Sequence, residues 1–365
     1  MYEVTDTVFR QVIASCASPD LNITEFVNVD ALQSQGREAA LKRLKFTDKE
    51  RPIIAQIWGK NPENYYKTAR QLVDGTLLDE IEWLSRRSGS SEMQGSKEKR
   101  TNRTRGTESE SRTRLTQQFT ENIGRVTGSA SEQANVSRVS GRGFDGVDIN
   151  MGCPEKSVIK SGCCIALINN RELTGEIIQA VREGVGDHFP VSVKTRLGLR
   201  EVDLSWIEFL LKQKLNMLSI HGRTASQMSK VPADWDTIGK IREMRDDLSP
   251  STLIVGNGDV MTRAQGAELA KKYKLDGIMI GRGVFQDPFA FAKTSPWEGY
   301  TKQQRIALYR KHVELFAKTW KQGERKVHTL NKFCKIYISD FDGAKEMREQ
   351  LMAAQTTDEL LTLLG

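Results

Sequence analysis

Residues 144–154 read FDGVDINMGCP. The first seven, Phe144–Asn150, are the short apolar and β-branched run of a buried strand. The Gly-Cys-Pro that follows cannot sit inside a helix, so Cys153 belongs on a tight loop just past the strand end. Runs of the same kind recur at Leu21–Val27 (LNITEFV), Pro52–Trp58 (PIIAQIW), Pro190–Arg196 (PVSVKTR), Leu215–His221 (LNMLSIH), Thr252–Asn257 (TLIVGN) and Asp276–Gly281 (DGIMIG). Helix starts lie between them. Asn61-Pro62-Glu63 places a capping Asn before a first-turn Pro. Thr262-x-x-Gln265 is a capping box before a helix carrying Ala264, Ala267 and Ala270. Alternating strands and helices imply parallel βαβ units.

Seven strands are visible, and a (β/α)8 TIM barrel needs one more. Thr5–Ser15 already reads as the first helix, so the first strand of the barrel is expected to be missing from this chain, its place lying before Met1. Strand signals stop near Tyr300. Thr301-x-x-Gln304 is a further capping box, and helices are expected at about 302–321, 327–339, 342–353 and 357–364. The division is a barrel over 1–85 and 141–299 and an all-helical C-terminal domain over 300–365.

Composition accounts for the remainder. The chain has 365 residues, 38% of them apolar, with a net charge of +7. That apolar fraction is below the usual ~45–50%, so some stretch must be poor in core-forming residues. Residues 86–140 are that stretch, with seventeen Ser or Thr, eleven Lys or Arg, six Glu and no Pro, Trp or Tyr. It shows no sustained period and is expected to be a disordered basic insertion. It precedes the fourth barrel strand, on the face opposite the active one, where a long loop costs little closure entropy. The insertion carries +5 of the charge and residues 300–365 carry +4, leaving the barrel segments at −2. A basic appended domain beside a slightly acidic core points to nucleic acid as the partner. No apolar run reaches ~18 residues, so a spanning helix is excluded. The polar N-terminus lacks a signal-peptide pattern, and five cysteines without paired CxxC motifs argue against a disulfide framework. A reduced cytoplasmic protein without metal is expected.

Polar residues close several strands, on the end of a (β/α) barrel that carries the active face. They are Gln56; Lys194 and Arg196; His221 and Arg223; Asn257-Gly258-Asp259; and Gly281-Arg282-Gly283. Each alone is ordinary, since a strand-end Lys or Arg is usually solvated and a lone His usually structural. Together, Gly-rich turns after the last two strands suit a phosphate. With Lys194 and His221 beside them, a phosphorylated, planar, electron-rich cofactor such as FMN fits. Cys153 as a free thiol has an ordinary pKa of ~8.5, so it is expected mostly protonated at neutral pH and able to donate a proton. The alternative for Cys153 is a buried, inert small residue. Cys163 and Cys164, in SGCCIALI at an expected helix start, read as packing residues, and Cys16 and Cys334 as core.

In this order, VTDTVFR, ITEFV, AQIWG, DINMGCP, VKTRLG, HGRT, NGD and IGRG resemble the tRNA-dihydrouridine synthases. The resemblance covers about 1–84 and 141–335 and loosens in the C-terminal helices. It implies an FMN-dependent oxidoreductase that reduces uridine in tRNA to 5,6-dihydrouridine, with NADPH as electron donor. Cys153 matches the catalytic cysteine, giving a proton to C5 while hydride from the flavin goes to C6. Gln56, Lys194, Asn257, Gly258, Asp259, Gly281 and Arg282 match FMN ligands, and His221 matches a histidine near the flavin phosphate and ring. Asn150 matches the residue beside the target base, and Arg223 is placed with the substrate. Met1 and Tyr2 match the end of a Pro-Met-x flavin contact whose Pro is not in this chain. The implied partner is tRNA, engaged by a monomer, with the base extruded from its stack.

Two other readings stay open at this stage. Without its first strand the chain could bind RNA with impaired catalysis, since unpaired strand edges are a liability and part of the flavin floor would be lost. Another FMN barrel could act on a free pyrimidine, although a basic helical domain is surplus to a small substrate.

Overall fold

The computed structural model describes residues 3–87, 143–320 and 324–365. Met1, Tyr2 and all of the expected insertion beyond Arg87 up to residue 140 lie outside the described residues. Helix α1 (Thr7–Cys16) comes first, capped by the Asp6 carboxylate, which accepts from Phe9 N. A parallel sheet follows in chain order. Its strands are β1 (Asn22–Ile23), β2 (Val27–Asn28), β3 (Ile53–Trp58), β4 (Gly146–Met151), β5 (Val191–Arg196), β6 (Met217–His221), β7 (Leu253–Asn257) and β8 (Gly277–Met279). Each strand from β3 to β7 pairs with its successor, and β1 and β2 both pair with β3. The fold is therefore α/β with a parallel sheet of seven strand positions.

The expected single strand at Leu21–Val27 is broken in two. Ile23 pairs with Ile54 and Val27 with Ile57, so this strand holds one residue more than its partner across the gap, a bulge. Side chains fill the break. The Thr24 hydroxyl accepts from Gln56 N at 3.0 Å, and buried Glu25 accepts from Arg325 at 2.9 Å. The first helix runs over Thr7–Cys16 where Thr5–Ser15 was expected, and the SGCCIALI stretch forms a 3-10 turn over Cys164–Asn169 in place of an α-helix start.

Alternation along the strands sorts the side chains. One face of each strand (Ile53, Ala55 and Ile57; Val147, Ile149 and Met151; Val191 and Val193; Leu218 and Ile220; Ile254) joins the large core against the surrounding helices. The other face points inward. Its lower layer is apolar, with Ile54, Met217, Leu253 and Val255 packed beside Leu21, Ile23 and Met279. Its upper layer, toward the C-terminal strand ends, is polar: Gln56, Asp148, Asn150, Ser192, Lys194, Ser219 and Asn257. This inward period of two is what aims the functional groups at one place.

A second core holds the C-terminal helices α11 (Lys302–Thr319), α12 (Asn331–Tyr337), α13 (Ala344–Ala353) and α14 (Thr357–Leu364), close to their expected positions. The intervening helices α2–α10 are Val29–Leu32, Arg37–Leu41, Pro62–Val73, Thr76–Arg87, Lys156–Lys160, Arg171–Val185, Leu204–Lys212, Trp235–Leu248 and Arg263–Tyr273. Val8, Phe9, Val12 and Ile13 of α1 belong to the second core, with Phe9 stacked on Phe333 at 4.8 Å. Charge ties the same region together. Arg325 donates to Asp6 (2.8 Å) and Glu25 (2.9 Å), and fully buried Glu50 accepts from Arg10 Nε and Thr7 Oγ1, each at 2.6 Å. Among the described residues no helix is long and apolar enough to cross a membrane.

Candidate active site

The inward polar groups open into a cavity of about 650 Å³. Gln56, Lys194, His221, Asn257, Gly258, Asp259, Gly281 and Arg282 all line it, so the expected cofactor ligands converge. Met1 and Tyr2, expected with them, lie outside the described residues. One end is cationic and built around Asp259, whose φ of 56° turns its carboxylate back toward the strand ends. Asp259 Oδ1 accepts from Arg282 at 2.8 Å, while Oδ2 accepts from Arg223 and from Ala233 N. Arg223 Nη1 also donates to His221 Nε2 at 3.1 Å, which leaves the imidazole proton on Nδ1. Burial and the nearby Lys194, Arg196 and Arg223 hold His221 far below the ordinary histidine range, so it is neutral. Arg282 is 53% exposed, held by Asp259 at the cavity edge.

Glycine shapes this end. Gly258 has φ 135°, and a Cβ there would meet Ala233 Cβ at 2.6 Å and His221 Cδ2 at 3.3 Å. A side chain would therefore strain the turn and push on the histidine.

The middle of the cavity is a hydrogen-bonded chain with fixed polarity. Asp148 accepts from Ser192 Oγ and Gln56 Nε2, each at 2.7 Å. Gln56 Oε1 then accepts from Asn150 Nδ2 at 3.2 Å. Asn150 Oδ1 accepts in turn from Gly152 N (3.0 Å) and Cys153 N (3.1 Å). The chain runs from a buried carboxylate to the backbone of the cysteine loop. Burial pushes the Asp148 carboxyl up to about 6. The Lys194 ammonium makes no hydrogen bond among the described residues, and burial with the neighbouring Arg196 guanidinium lowers it to about 8. Ser219 Oγ, fully buried on the cavity wall, has no partner either. A cavity with an orphaned hydroxyl, an unpaired lysine and a cationic end fits a planar, polar-edged group ending in phosphate.

Asn150 and Cys153 stand beside the cavity and do not line it. Arg196 joins the two, lining the cavity while its Nε donates to Gly152 O at 3.0 Å. A Cβ at Gly152 would lie 3.2 Å from the Thr195 backbone, so glycine lets the loop lie against β5. Cys153 differs from its expectation in one respect. Its thiol is lowered to about 6, foremost by a hydrogen bond with Cys164, helped by the Glu155 backbone and the Arg196 charge, so thiolate predominates at neutral pH. Arg223, expected at the substrate, is 2% exposed and serves the cationic end. Sequence reasoning passed over Ser192 and Ser219, took Asp148 only as part of the DINMGCP motif, and read Cys164 as a packing residue. Asp148 and Ser219 fall at inward positions of their strands, a signal that alternation could have supplied. Cys334 is buried as expected, and Cys16 is only partly so.

The family model for dihydrouridine synthase matches residues 1–82 and 91–364. A probable tRNA-dihydrouridine synthase of Staphylococcus aureus (strain COL) is 36% identical over 367 residues, covering 100% of this chain and 90% of that protein. A probable tRNA-dihydrouridine synthase 2 of Bacillus subtilis (strain 168) is also 36% identical, covering 100% of this chain and 91% of its own length. With a match of this extent, and VKTRLG and HGRT lining one cavity with DINMGCP held beside it through Asn150 and Gln56, the chain belongs to the dihydrouridine synthase family.

Proposed function

We propose that this chain reduces uridine in tRNA to 5,6-dihydrouridine, with FMN as its cofactor and NADPH as the electron donor. The observation that carries the reading is the cavity itself. It joins a cationic, glycine-turned end to a lysine and a serine that have no hydrogen-bond partner among the described residues, with a low-pKa cysteine held beside them. When bound, FMN supplies the hydride for C6 of the uracil. Arg282, with the turns at Gly258 and Gly281, holds the phosphate, and Asp259 fixes Arg282 and Arg223 in place. Neutral His221 packs there without adding charge. Lys194 sets a positive charge against the electron-rich ring, where a preorganised charge in a dry site has a large effect. Gln56 and Asn150 orient ring edges, and Cys153 gives its proton to C5 from its protonated form, a fraction that shrinks as pH rises above about 6.

The basic helices of 300–365 take the tRNA as a separate domain from the barrel of 1–85 and 141–299, and the protein works as a cytoplasmic monomer. Among the described residues the sheet is one strand position short of a (β/α)8 barrel. Among the same described residues β1 and β8 end the hydrogen-bonded path and do not pair with each other, and the cavity reaches residues on both, from Leu21–Thr24 to Gly277–Ile280. This open side favours a second reading, an RNA-binding protein with weakened flavin affinity.

Reconstituting the full chain with FMN, NADPH and unmodified tRNA, with and without an added upstream strand, separates the readings. The enzyme reading expects flavin absorbance in the protein peak and dihydrouridine in digested tRNA, lost in Cys153→Ala. If Cys153→Ala reduced tRNA as fast as the parent, the proton-donor role would be wrong. Bound tRNA with no flavin in either form would favour the second reading.

A further inference from the structure

A tRNA uridine that reaches the cavity must cross its rim. The loop after β5 (197–203) and the loop after β6 (222–234) form part of that rim and are joined through their backbones. Leu197 N donates to Arg223 O at 3.1 Å, and Ala225 N to Gly198 O and Ser226 N to Leu199 O, each at 2.8 Å. Two buried arginines hold the second loop. Arg196 Nη1 donates to Thr224 O (3.1 Å) and Met228 O (3.2 Å) while its Nε holds Gly152 O in the cysteine loop. Arg223 Nε donates to Val231 O at 2.6 Å. Ser229, between these two anchors, lines the cavity. The loop tip is therefore fixed beside the cysteine loop. Its outward surface is apolar. Eight large apolar side chains are exposed among the described residues, and four of them are on these two loops: Val202 (44%), Leu204 (37%), Met228 (43%) and Val231 (39%). Singly such residues are ordinary, but half of them on two bonded loops beside one cavity form a patch. Met228 also has a φ of 53°, in the left-handed region that a non-glycine residue enters at a cost. Lys230 and Arg200 are exposed on the same loops.

We propose that Met228 contacts the RNA: its side chain packs on the nucleotide next to the uridine that enters the cavity and replaces the stacking which that nucleotide loses on extrusion. Lys230 and Arg200 meet the flanking phosphates. The inference rests on the reading of tRNA as the substrate. Position supports it, because the tip gives Ser229 to the cavity wall and shares Arg196 with the loop of Cys153. A base that reaches Cys153 brings its neighbour to the rim where Met228 is exposed. Chemistry supports it too. Extrusion costs stacking energy, and an apolar side chain against the unstacked face recovers part of it. The unbranched, polarizable thioether of methionine fits a base face of any identity. Rigidity adds to the effect, since a side chain on a backbone already pinned by Arg196 and Arg223 loses less freedom on contact than one on a free loop.

Titrating fluorescently labelled, unmodified tRNA with the full chain and reading anisotropy tests this. Melting temperature and flavin uptake are measured on the same preparations. Met228→Gly removes the side chain and relieves the backbone, so the protein should melt close to the parent and take up as much flavin. Its affinity for tRNA should fall about fivefold or more. Met228→Leu, apolar and of similar size, should recover most of that loss. Lys230→Ala should lower the slope of log affinity against log salt by about one, whereas Met228→Gly should leave the slope as it is. A Met228→Gly affinity within about twofold of the parent, or no recovery in Met228→Leu, overturns the proposal. An unchanged salt slope in Lys230→Ala overturns its phosphate contact. A parent that binds tRNA no better than Met228→Gly sinks this inference alone; a parent that binds no tRNA sinks the substrate reading with it.

Discussion

Replacing Asn150 with alanine should loosen the cysteine loop by an amount the hydrogen bonds allow to be worked out. Its carboxamide accepts from Gly152 N at 3.0 Å and Cys153 N at 3.1 Å and donates to Gln56 Oε1 at 3.2 Å. Leaving a buried polar group without its partner costs about 1–3 kcal/mol. Gly152 N is buried and takes the full loss. Cys153 is half-buried, and Gln56 lines the cavity, so water can replace part of both remaining bonds. The sum is about 2–4 kcal/mol of lost stability. At about 2–4 °C per kcal/mol for a large domain, melting should fall by about 4–16 °C. Urea unfolding followed by circular dichroism measures the first quantity, and a thermal scan the second. Asn150→Asp is the informative companion. It keeps both acceptors for the loop but sets a carboxylate oxygen against Gln56 Oε1, whose amide cannot turn because Asp148 holds Nε2. It should keep the Cys153 alkylation profile of the parent while disturbing the Gln56 side of the cavity. If Asn150→Ala unfolded within about 0.5 kcal/mol of the parent, the loop would not be anchored through this residue.

Glu50→Ala should destabilise by about 3–5 kcal/mol in urea titrations, because Arg10 would keep a buried charge without its carboxylate. Gly258→Ala should lower the flavin content of reconstituted protein, read from visible absorbance, since the new methyl meets Ala233 and His221 at a φ of 135°. Asp148 has its folded pKa raised to about 6, so it adds stability below its unfolded value, near 4, and this is lost as pH rises through about 6. Urea midpoints measured across that window should fall with pH in the parent more steeply than in Asp148→Asn; parallel slopes would mean that Asp148 does not titrate there.

The strand ends were legible because an inward period of two leaves a mark in the sequence: Gln56, Lys194, His221 and Asn257 each close an apolar run, and all reach the cavity. The helix starts at Asn61 and Thr301 were legible too, because a cap is local chemistry. What stayed hidden depends on partners distant in sequence. The strand at Leu21–Val27 breaks because Glu25 answers an arginine three hundred residues later. The lowered pKa of Cys153 depends on its surroundings, Arg196 from the next strand among them, and the use of Arg223 on a carboxylate beyond the next strand. Asp148 reads as part of a motif, but its work depends on Ser192 and Gln56 from the two flanking strands.

The place of helix α1 separates the order of the chain from the order of its parts. Covalently it opens the molecule; in packing it belongs with the last helices, through Phe9 on Phe333 and Asp6 on Arg325 and Trp320. A cut near residue 300 would therefore strip the cover from Val8, Phe9, Val12 and Ile13. Grafting another relative's C-terminal helices, as a means of changing which RNA is presented to the cavity, should succeed only if that relative's first helix travels with them. The modular unit for such exchange is discontinuous in sequence, with one end of the chain clasping the other around the strand ends.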